Sequence, residues 1–200
     1  MARKNAKPKI LEAARACMIE GGGEFEMTEV AEAAGVSEGL AYHYFGSKSG
    51  LMTAVVAEFY DRYGAVLNRR HDGSLPWPVR ERQRMEETIA FLCADPMTAM
   101  VFGRLSRTAE VATLEAERIA EMTELAARNI ALGIARGDIP PQIDVNIAGA
   151  AVTGAIRQTV MYGFGAYDEP PVEAMSEQLW RMIAGALGLP MPSGSGETAV

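Results

Sequence analysis

The sequence TEVAEAAGVSEGLAYHYFGSK, residues 28–48, decides the fold of the N-terminal part of this chain. Its first seven residues have the spacing of a short amphipathic helix, and Gly35 supplies the left-handed backbone conformation that ends such a helix. After Val36, the hydroxyl of Ser37 is suited to cap a second short helix. Two short helices joined by a tight turn that contains glycine form a helix-turn-helix. We therefore predict this motif here.

The outward face of the second helix has a composition that favours a bound partner. At about 100° per residue, Ala41 and Phe45 share the inward face. The outward face carries Gly39, Leu40, Tyr42 and His43. Tyrosine hydroxyls and histidine rings suit phosphate oxygens, and a leucine side chain suits the methyl group of thymine. Lys48 begins the next helix, where its ammonium group and the free N–H groups both attract a phosphate. This surface is therefore predicted to bind DNA.

Helical periodicity also dominates the rest of the chain, and no alternating strand pattern of useful length occurs. We therefore predict an all-α fold, in which a three-helix DNA-binding domain precedes a larger helical domain. After the helix-turn-helix, the predicted helices cover residues 48–70, 79–93, 97–107, 114–135, 145–162 and 172–187. The predicted divisions are residues 1–50 for an N-terminal arm and the helix-turn-helix, 51–189 for the larger domain and 190–200 for a disordered tail.

The charge of the chain is unevenly distributed. The formal net charge is −7, from 19 lysines and arginines and 26 acidic residues, which by itself argues against a nucleic-acid partner. The first residues are nevertheless basic, since Glu12 alone opposes Arg3, Lys4, Lys7, Lys9 and Arg15. Such an arm either docks on phosphates or is a solvated tail, and the sequence leaves both interpretations open.

Other classes of function lack support in the sequence. Cys17 and Cys93 lie in apolar helical patterns, so we interpret them as reduced core residues, and His43 and His71 are too isolated to suggest a metal site. No Ser/His/Asp arrangement, metal-ligand spacing or phosphate-binding glycine loop is present, so we expect neither an enzyme nor a cofactor. No apolar run follows the basic N-terminal residues and no apolar stretch is long enough to cross a membrane, so we expect no signal peptide and predict a cytoplasmic protein without a membrane partner.

Residues 10–51 resemble the DNA-binding domain of the TetR family of regulators. The match consists of residues at fixed spacing: Ile10-Leu11, Ala13-Ala14, Val30-Ala31, Ala34-Gly35-Val36-Ser37, Gly39, Tyr42-His43-Tyr44-Phe45, Ser47-Lys48 and Leu51. The resemblance implies a ligand-responsive transcription regulator, a repressor that binds a palindromic operator as a homodimer and is released by a small molecule. The expected DNA-binding residues are Lys4, Lys7, Thr28, Ser37, Glu38, Gly39, Leu40, Tyr42, His43, Tyr44 and Lys48.

Two glutamates depart from the family pattern. The family usually has threonine or serine near the position of Glu26, as a helix cap and phosphate contact, and Thr28 is the alternative residue for this role. Glu38 either stabilises a helix N-terminus as a carboxylate or accepts a hydrogen bond from N4 of cytosine. Both glutamates favour an alternative function, that of a helical small-molecule-binding or scaffolding protein that has lost sequence-specific DNA binding.

The resemblance assigns two further sites to the larger domain. The two C-terminal helices are expected to pair with those of a second chain, and the interface candidates are Ala148, Ala151, Ala155, Leu179, Met182 and Ile183. A cavity for a small, partly apolar ligand is expected among the helices, lined by Phe59, Tyr63, Phe91, Met100, Phe102, Met122, Asn129, Gln158, Met161 and Tyr162. Ordinary core packing is the alternative role of each residue. The ligand, the operator sequence and the direction of regulation stay open.

Overall fold

Helices account for all regular secondary structure in residues 6–104 and 108–190, the residues that this computed structural model describes. They are α1 (Ala6–Glu20), α2 (Met27–Ala34), α3 (Glu38–Phe45), α4 (Lys48–Leu67), α5 (Trp77–Ala94), α6 (Ala109–Arg136), α7 (Val145–Ala166) and α8 (Val172–Ala186). A π-helical turn covers Met100–Arg104. The predicted all-α fold is confirmed. Lys4, and the predicted tail from residue 191 onward, lie outside the described residues.

The chain divides into two compact units, which differ from the predicted functional division. The first unit contains the described residues up to Asn68 together with those of Phe91–Glu121. The second unit contains Arg69–Ala90 and the described residues from Met122 onward. The predicted boundary near residue 50 divides a DNA-binding part from a ligand-binding and dimerisation part. The compact units do not test this functional division, so it stays a prediction.

The N-terminal helices of the first unit pack around a small apolar core. Ile10 and Met18 of α1, Val30 of α2 and Leu51 of α4 are each fully buried, as is Ala41 of α3. Burial of these side chains supplies most of the free energy that holds three short helices together, since isolated helices of eight residues are marginal in water. The first unit therefore presents α3 on a packed support.

The turn between α2 and α3 forms through the predicted local signals. Gly35 ends α2 with φ of 65°, a left-handed conformation that costs glycine little. The hydroxyl oxygen of Ser37 accepts a hydrogen bond from the N–H of Leu40 at 3.3 Å and caps α3. The helix-turn-helix thus has its boundaries where the sequence predicts them.

Other helix boundaries differ from the predicted ones, for local reasons as well as through tertiary contacts. Helix α5 begins at Trp77, inside the predicted loop, since this indole is buried and its Nε1–H donates to the carbonyl oxygen of Asn129 at 2.8 Å. Helix α6 begins at Ala109 and not near residue 114, and the hydroxyl of Thr108 accepts from the N–H of Val111 at 3.4 Å. Within residues 97–104, the predicted α-helix is replaced by the π-helical turn.

In the second unit, α7 makes close contacts through two glycines. A Cβ atom on Gly149 would lie 2.8 Å from the carbonyl oxygen of Thr123 and 2.9 Å from the backbone nitrogen of Ala127, both in α6. A Cβ atom on Gly163 would lie 2.8 Å from the terminal methyl of Met175 in α8. Both glycines are buried, so α7 approaches its neighbours more closely than any larger residue permits.

Candidate nucleic-acid interface

Helix α3 exposes three of the four residues that the sequence places on its outward face, and the fourth, Leu40, is half-buried. Tyr42 has 42% of its surface exposed, and Gly39 and His43 are also exposed. Ala41, on the opposite face, is completely buried and fixes the orientation of the helix. The other predicted contacts of α3, Glu38, Leu40 and Tyr44, are half-buried, and the cap Ser37 is exposed. The geometry therefore brings these residues together on one accessible surface, and their contact with DNA stays a prediction.

A close backbone approach sets the angle between α3 and α4, and the sequence reasoning missed it. The hydroxyl of Ser47 accepts from the N–H of Gly50 at 2.9 Å and caps α4. A Cβ atom on Gly50 would collide with the carbonyl oxygen of Phe45, the last residue of α3. Only glycine therefore fits at this point, and α4 begins directly against the end of the predicted recognition helix. The sequence signal that could have indicated this close approach is Gly50 itself, a glycine inside a predicted helix.

Lys48 is held in place by two groups from the segment before α2. Its Nζ lies 3.0 Å from Oε1 of Glu26 and 5.6 Å from the centre of the Phe25 ring. Phe25 is buried, whereas the Glu26 side chain is 69% exposed. A carboxylate and an aromatic face both attract an ammonium group, so its position is constrained on two sides. The spacing of 22 residues gives no sequence signal for this pair.

Glu26 also occupies the helix-cap position that we considered for Thr28. Glu26 is the N-cap residue of α2, and its N–H donates to Oε2 of Glu29 at 3.0 Å. Thr28 is the second residue of α2 and is exposed. The capping role predicted for Thr28 is therefore wrong, because α2 begins at Met27. The predicted phosphate contact of Thr28 stays a prediction.

One lysine of the basic arm lies beside the end of α3. Lys7 is exposed in the first turns of α1, and its Nζ lies 5.9 Å from the centre of the Phe45 ring. This cation–π contact holds one arm lysine near the end of the recognition helix. Lys4 lies outside the described residues.

Four of the predicted ligand-binding residues form an aromatic cluster in the first unit. The ring centres of Phe59 and Phe91 lie 6.2 Å apart, as do those of Tyr63 and Phe91, and both pairs are stacked. Phe102 meets Phe59 edge to face, with ring centres 5.9 Å apart. Phe59, Tyr63 and Phe102 are buried, and Met100 in the same unit is half-buried. This cluster has the composition of an apolar ligand site and equally that of a core.

The predicted ligand-binding residues of the second unit do not share one environment. Met122 is buried, Met161 is half-buried, and the side-chain amide of half-buried Asn129 donates to Glu81 at 3.4 Å. Gln158 and Tyr162 are exposed, the latter by 62%. They lie on the face of α7 opposite its buried residues, so this unit does not give them the interior setting that we expected.

An apolar groove between α7 and α8 contains five of the six predicted interface residues. Ala148, Ala151, Ala155, Met182 and Ile183 line it, together with neighbours that include Ile147, Val152 and Leu187. Leu179, the sixth, is buried in α8. Ile147 is 72% exposed and Met182 58% exposed, which is unusual for large apolar side chains on a surface that only contacts water.

A polar contact connects the start of α4 to the start of α6 within the first unit. The Ser49 hydroxyl lies 3.0 Å from Oε2 of Glu110 and 3.0 Å from the hydroxyl of Thr108. The pKa of Glu110 is lowered, first by its own backbone N–H and then by the hydroxyls of Ser49 and Thr108. Ser49 follows Lys48 directly, so this contact fixes the α4 turn that carries the predicted phosphate-binding lysine.

Neither metal binding nor membrane insertion has support among the residues that the structure describes. There, no group of three or more His, Cys, Asp and Glu residues is placed to hold a metal ion. The pKa values of both thiols are raised, that of Cys93 by burial and that of Cys17 by burial and then by Glu20 and Glu29. Within the same residues, no helix combines the length and apolar character needed to cross a membrane.

Comparison with known proteins finds a family model that matches the part of the chain carrying this surface. Residues 10–55 match the family model described as bacterial regulatory proteins, tetR family. The N-terminal part of the chain is therefore similar to the DNA-binding domain of TetR-family regulators. The match contains α2, α3 and the first turns of α4, which carry most of the predicted DNA contacts. Among curated proteins, none matches the chain.

Solved structures of similar fold cover nearly the whole length of the chain. The fatty acid degradation regulator FadR from Bacillus halodurans has a TM-score of 0.76 at 20% identity, covering 92% of this chain and 96% of that one. FadR from Bacillus subtilis, in complex with stearoyl-CoA, has a TM-score of 0.70 at 21% identity, covering 88% and 97%. The SmeT–triclosan complex has a TM-score of 0.77 at 17% identity, covering 98% and 99%. At these identities the likeness establishes the fold.

Proposed function

We propose that the chain is a TetR-family regulator, a cytoplasmic repressor that binds a palindromic operator as a homodimer and is released by a small, partly apolar ligand. The observation that carries the proposal is the exposed surface of α3, where Tyr42 and His43 stand on a helix anchored by the buried Ala41. A helix of this kind reads base edges from the major groove, and neighbouring polar groups contact phosphates.

The apolar groove of α7 and α8 supports the homodimer. Apart from Gln142 and Asp144 its residues are small or apolar, and exposed Ile147 and Met182 lose contact with water only when another surface covers them. A second copy of the same face forms a closed twofold dimer, and such a dimer presents two α3 helices to two half-sites. Half-sites for such a dimer lie about 34–36 Å apart, or a multiple of this distance.

The aromatic cluster supports a partly apolar ligand. Phe59, Tyr63, Phe91 and Phe102 offer stacking faces, and the structural neighbours SmeT and FadR were solved with triclosan and stearoyl-CoA, which both have apolar parts. The cluster includes two residues of α4, the helix that begins at Lys48. A ligand that shifts α4 therefore changes the position of Lys48, and a coupling of about 1–3 kcal/mol is typical of such regulation.

The DNA-binding proposal is tested by selection from a random-sequence duplex library, followed by affinity measurements on the enriched sequence. We expect a palindrome to be enriched and to bind at least about 1,000-fold more tightly than a shuffled duplex. Tyr42→Ala is expected to weaken binding to the palindrome by about 10-fold or more, whereas Tyr167→Ala, an exposed tyrosine beyond α7, is the matched control. A chain that enriches no sequence, yet binds triclosan or stearoyl-CoA, has the alternative function of a ligand-binding protein without operator recognition.

The regulatory proposal is tested with the two ligands of the structural neighbours as probes. Binding of triclosan or stearoyl-CoA is measured by the shift in melting temperature, and operator affinity is then measured at saturation. We expect the probe that binds to weaken operator affinity by about 5- to 150-fold. A bound probe that leaves operator affinity unchanged contradicts release by ligands of this class.

A further inference from the structure

We propose that Glu26 competes with the operator backbone for the ammonium group of Lys48 and so lowers the affinity of this regulator for all DNA sequences. The inference rests on the proposed function, because it assigns a role in DNA binding to a residue outside the recognition helix. It makes Glu26 a residue that sets affinity and leaves sequence preference to α3.

Lys48 is the natural phosphate-binding group of this surface because the segment around it is acidic. Between residues 24 and 48 the sequence contains five glutamates and one lysine, and no arginine or aspartate. The ammonium group of Lys48 therefore carries the one lysine or arginine charge of this segment that a phosphate can pair with. The state of that group controls a large part of the electrostatic contact.

The ammonium group of Lys48 is already occupied by an anion. Its distance of 3.0 Å from Oε1 of Glu26 is that of a charge-assisted hydrogen bond. The Phe25 ring, buried beneath the pair, adds a cation–π contact at 5.6 Å and limits how far the ammonium can swing away. Only 36% of the Lys48 side chain is exposed, whereas 69% of the Glu26 side chain is. The carboxylate thus stands on the solvent side of the pair, where DNA arrives.

A phosphate at Lys48 meets this carboxylate as a second anion. With the ammonium between them, the two anions stand about 6 Å apart, and their repulsion in water weakens binding about threefold. If Lys48 leaves Glu26 for the phosphate, the ion pair is lost and the freed carboxylate attracts a cation from solution. The uptake of that cation offsets part of the counterion release that drives binding. Both routes lower affinity equally for every sequence, since a phosphate contact carries no base information.

The test compares Glu26→Gln with Glu32→Gln on two duplexes, the palindrome that the wild-type chain enriches from a random library and a shuffled duplex of the same length. Glutamine keeps the size of the side chain and a carbonyl oxygen that accepts hydrogen bonds. Glu32 lies in α2, the helix that Glu26 precedes, is exposed and has no ion pair with Lys48, so its variant controls for the loss of one negative charge. Equal melting temperatures establish that each variant is folded.

We expect Glu26→Gln to tighten binding to both duplexes by the same factor, roughly three- to tenfold, and to make the slope of log K against log salt more negative by up to about 0.9. Glu32→Gln is expected to change affinity by less than about twofold. In a Lys48→Met background, where no ammonium remains to be released, the effect of Glu26→Gln is expected to shrink to that of Glu32→Gln.

Three results overturn the inference. The first is equal behaviour of Glu26→Gln and Glu32→Gln, which makes the effect one of general charge. The second is an undiminished effect in the Lys48→Met background. The third is a gain confined to the palindrome, which makes Glu26 a base-reading residue. Failure of the proposed function is distinct from all three, because the wild-type chain then enriches no palindrome.

Discussion

The two exposed surfaces of this regulator differ in chemistry and in how they are held. The surface of α3 and the start of α4 carries aromatic polar tips and one constrained cation, whereas the groove of α7 and α8 carries alanines and large apolar side chains. The first suits a polyanion, because Tyr42, His43 and Lys48 offer polar contacts. The second suits a copy of itself, because only another apolar surface removes Ile147 and Met182 from water.

The two surfaces therefore depend on different contributions to the free energy of binding, one electrostatic and the other from apolar burial. Binding at the α3 surface depends on charge, so we expect it to vary steeply with salt concentration. Association at the groove depends on apolar burial and close packing, so we expect it to be nearly independent of salt. Substitutions that add one charge or one methyl group distinguish these two contributions, because each disturbs apolar burial and packing at the groove and leaves the charges of the α3 surface unchanged.

The largest effect is expected from a charge placed in the groove. Ala151→Glu buries a carboxylate without a partner in the proposed dimer interface, and we expect dimer affinity to fall by more than about 100-fold. Operator affinity falls with it, although α3 is untouched, because a single α3 reads one half-site only. Analytical ultracentrifugation measures the first quantity and fluorescence anisotropy the second.

Ala150→Glu is the control for this change. Ala150 is the preceding residue of α7, is exposed and does not line the groove. We expect it to leave the dimer intact. A monomeric Ala150→Glu, or a dimeric Ala151→Glu that still binds the palindrome, contradicts the assignment of the groove as the interface.

An intermediate effect is expected from one methyl group beneath the groove. Gly149→Ala places a Cβ atom 2.8 Å from the carbonyl oxygen of Thr123, so α7 must move away from α6. We expect the free energy of unfolding to fall by about 1–3 kcal/mol. Gly64→Ala in α4 is the control, because a Cβ atom there meets nothing within 4 Å. We expect Gly64→Ala to raise the free energy of unfolding by about 0.5–1 kcal/mol. Urea denaturation measures this quantity for both variants. Equal losses in both variants contradict the packing argument.

Sequence reasoning predicted the α3 surface better than the rest because its signals are local. Gly35 and Ser37 act within a few residues, so the turn and the exposed face of α3 follow from spacing alone. By contrast, the buried Trp77 side chain sets the start of α5 through a contact 52 residues away. The ion pair of Glu26 and Lys48 likewise joins positions with no periodic relation. Such contacts depend on which helices meet, and the pattern of a single helix does not contain that information.

Assignment of side chains to helix faces failed where two environments look alike in sequence. Gln158 and Tyr162 have the same helical spacing as a ligand-lining stripe, and the structure places them on the exposed face of α7. Ala148 and Ala155, in contrast, were assigned to the interface and do line the apolar groove. Small residues mark a face for close approach more clearly than an isolated tyrosine marks a cavity.

The smallest effect is expected at the polar contact behind the α3 surface. Ser49→Ala removes a hydroxyl that donates to Glu110, and we expect the pKa of Glu110 to rise partway toward its ordinary value. The rise is partial because the backbone N–H of Glu110, the larger cause of its lowered pKa, remains. A carboxylate whose pKa is lowered by folding stabilises the folded state above its unfolded pKa, and this stability is lost as pH falls through the folded pKa. The stability difference between wild type and Ser49→Ala is therefore expected to be constant near neutral pH and to shrink in acid.

Carbon-detected NMR titration of Glu110 measures this shift directly, with Thr53→Ala as the control. The Thr53 hydroxyl donates to the carbonyl oxygen of Ser49 one turn earlier in α4 and makes no contact with Glu110 among the described residues. We expect the pKa of Glu110 to be unchanged in that variant. An unchanged pKa in Ser49→Ala as well means that the hydroxyl does not connect α4 to α6. In that case the start of α4 is held in place by apolar packing alone, as the groove is. The two surfaces then differ only in their exposed side chains.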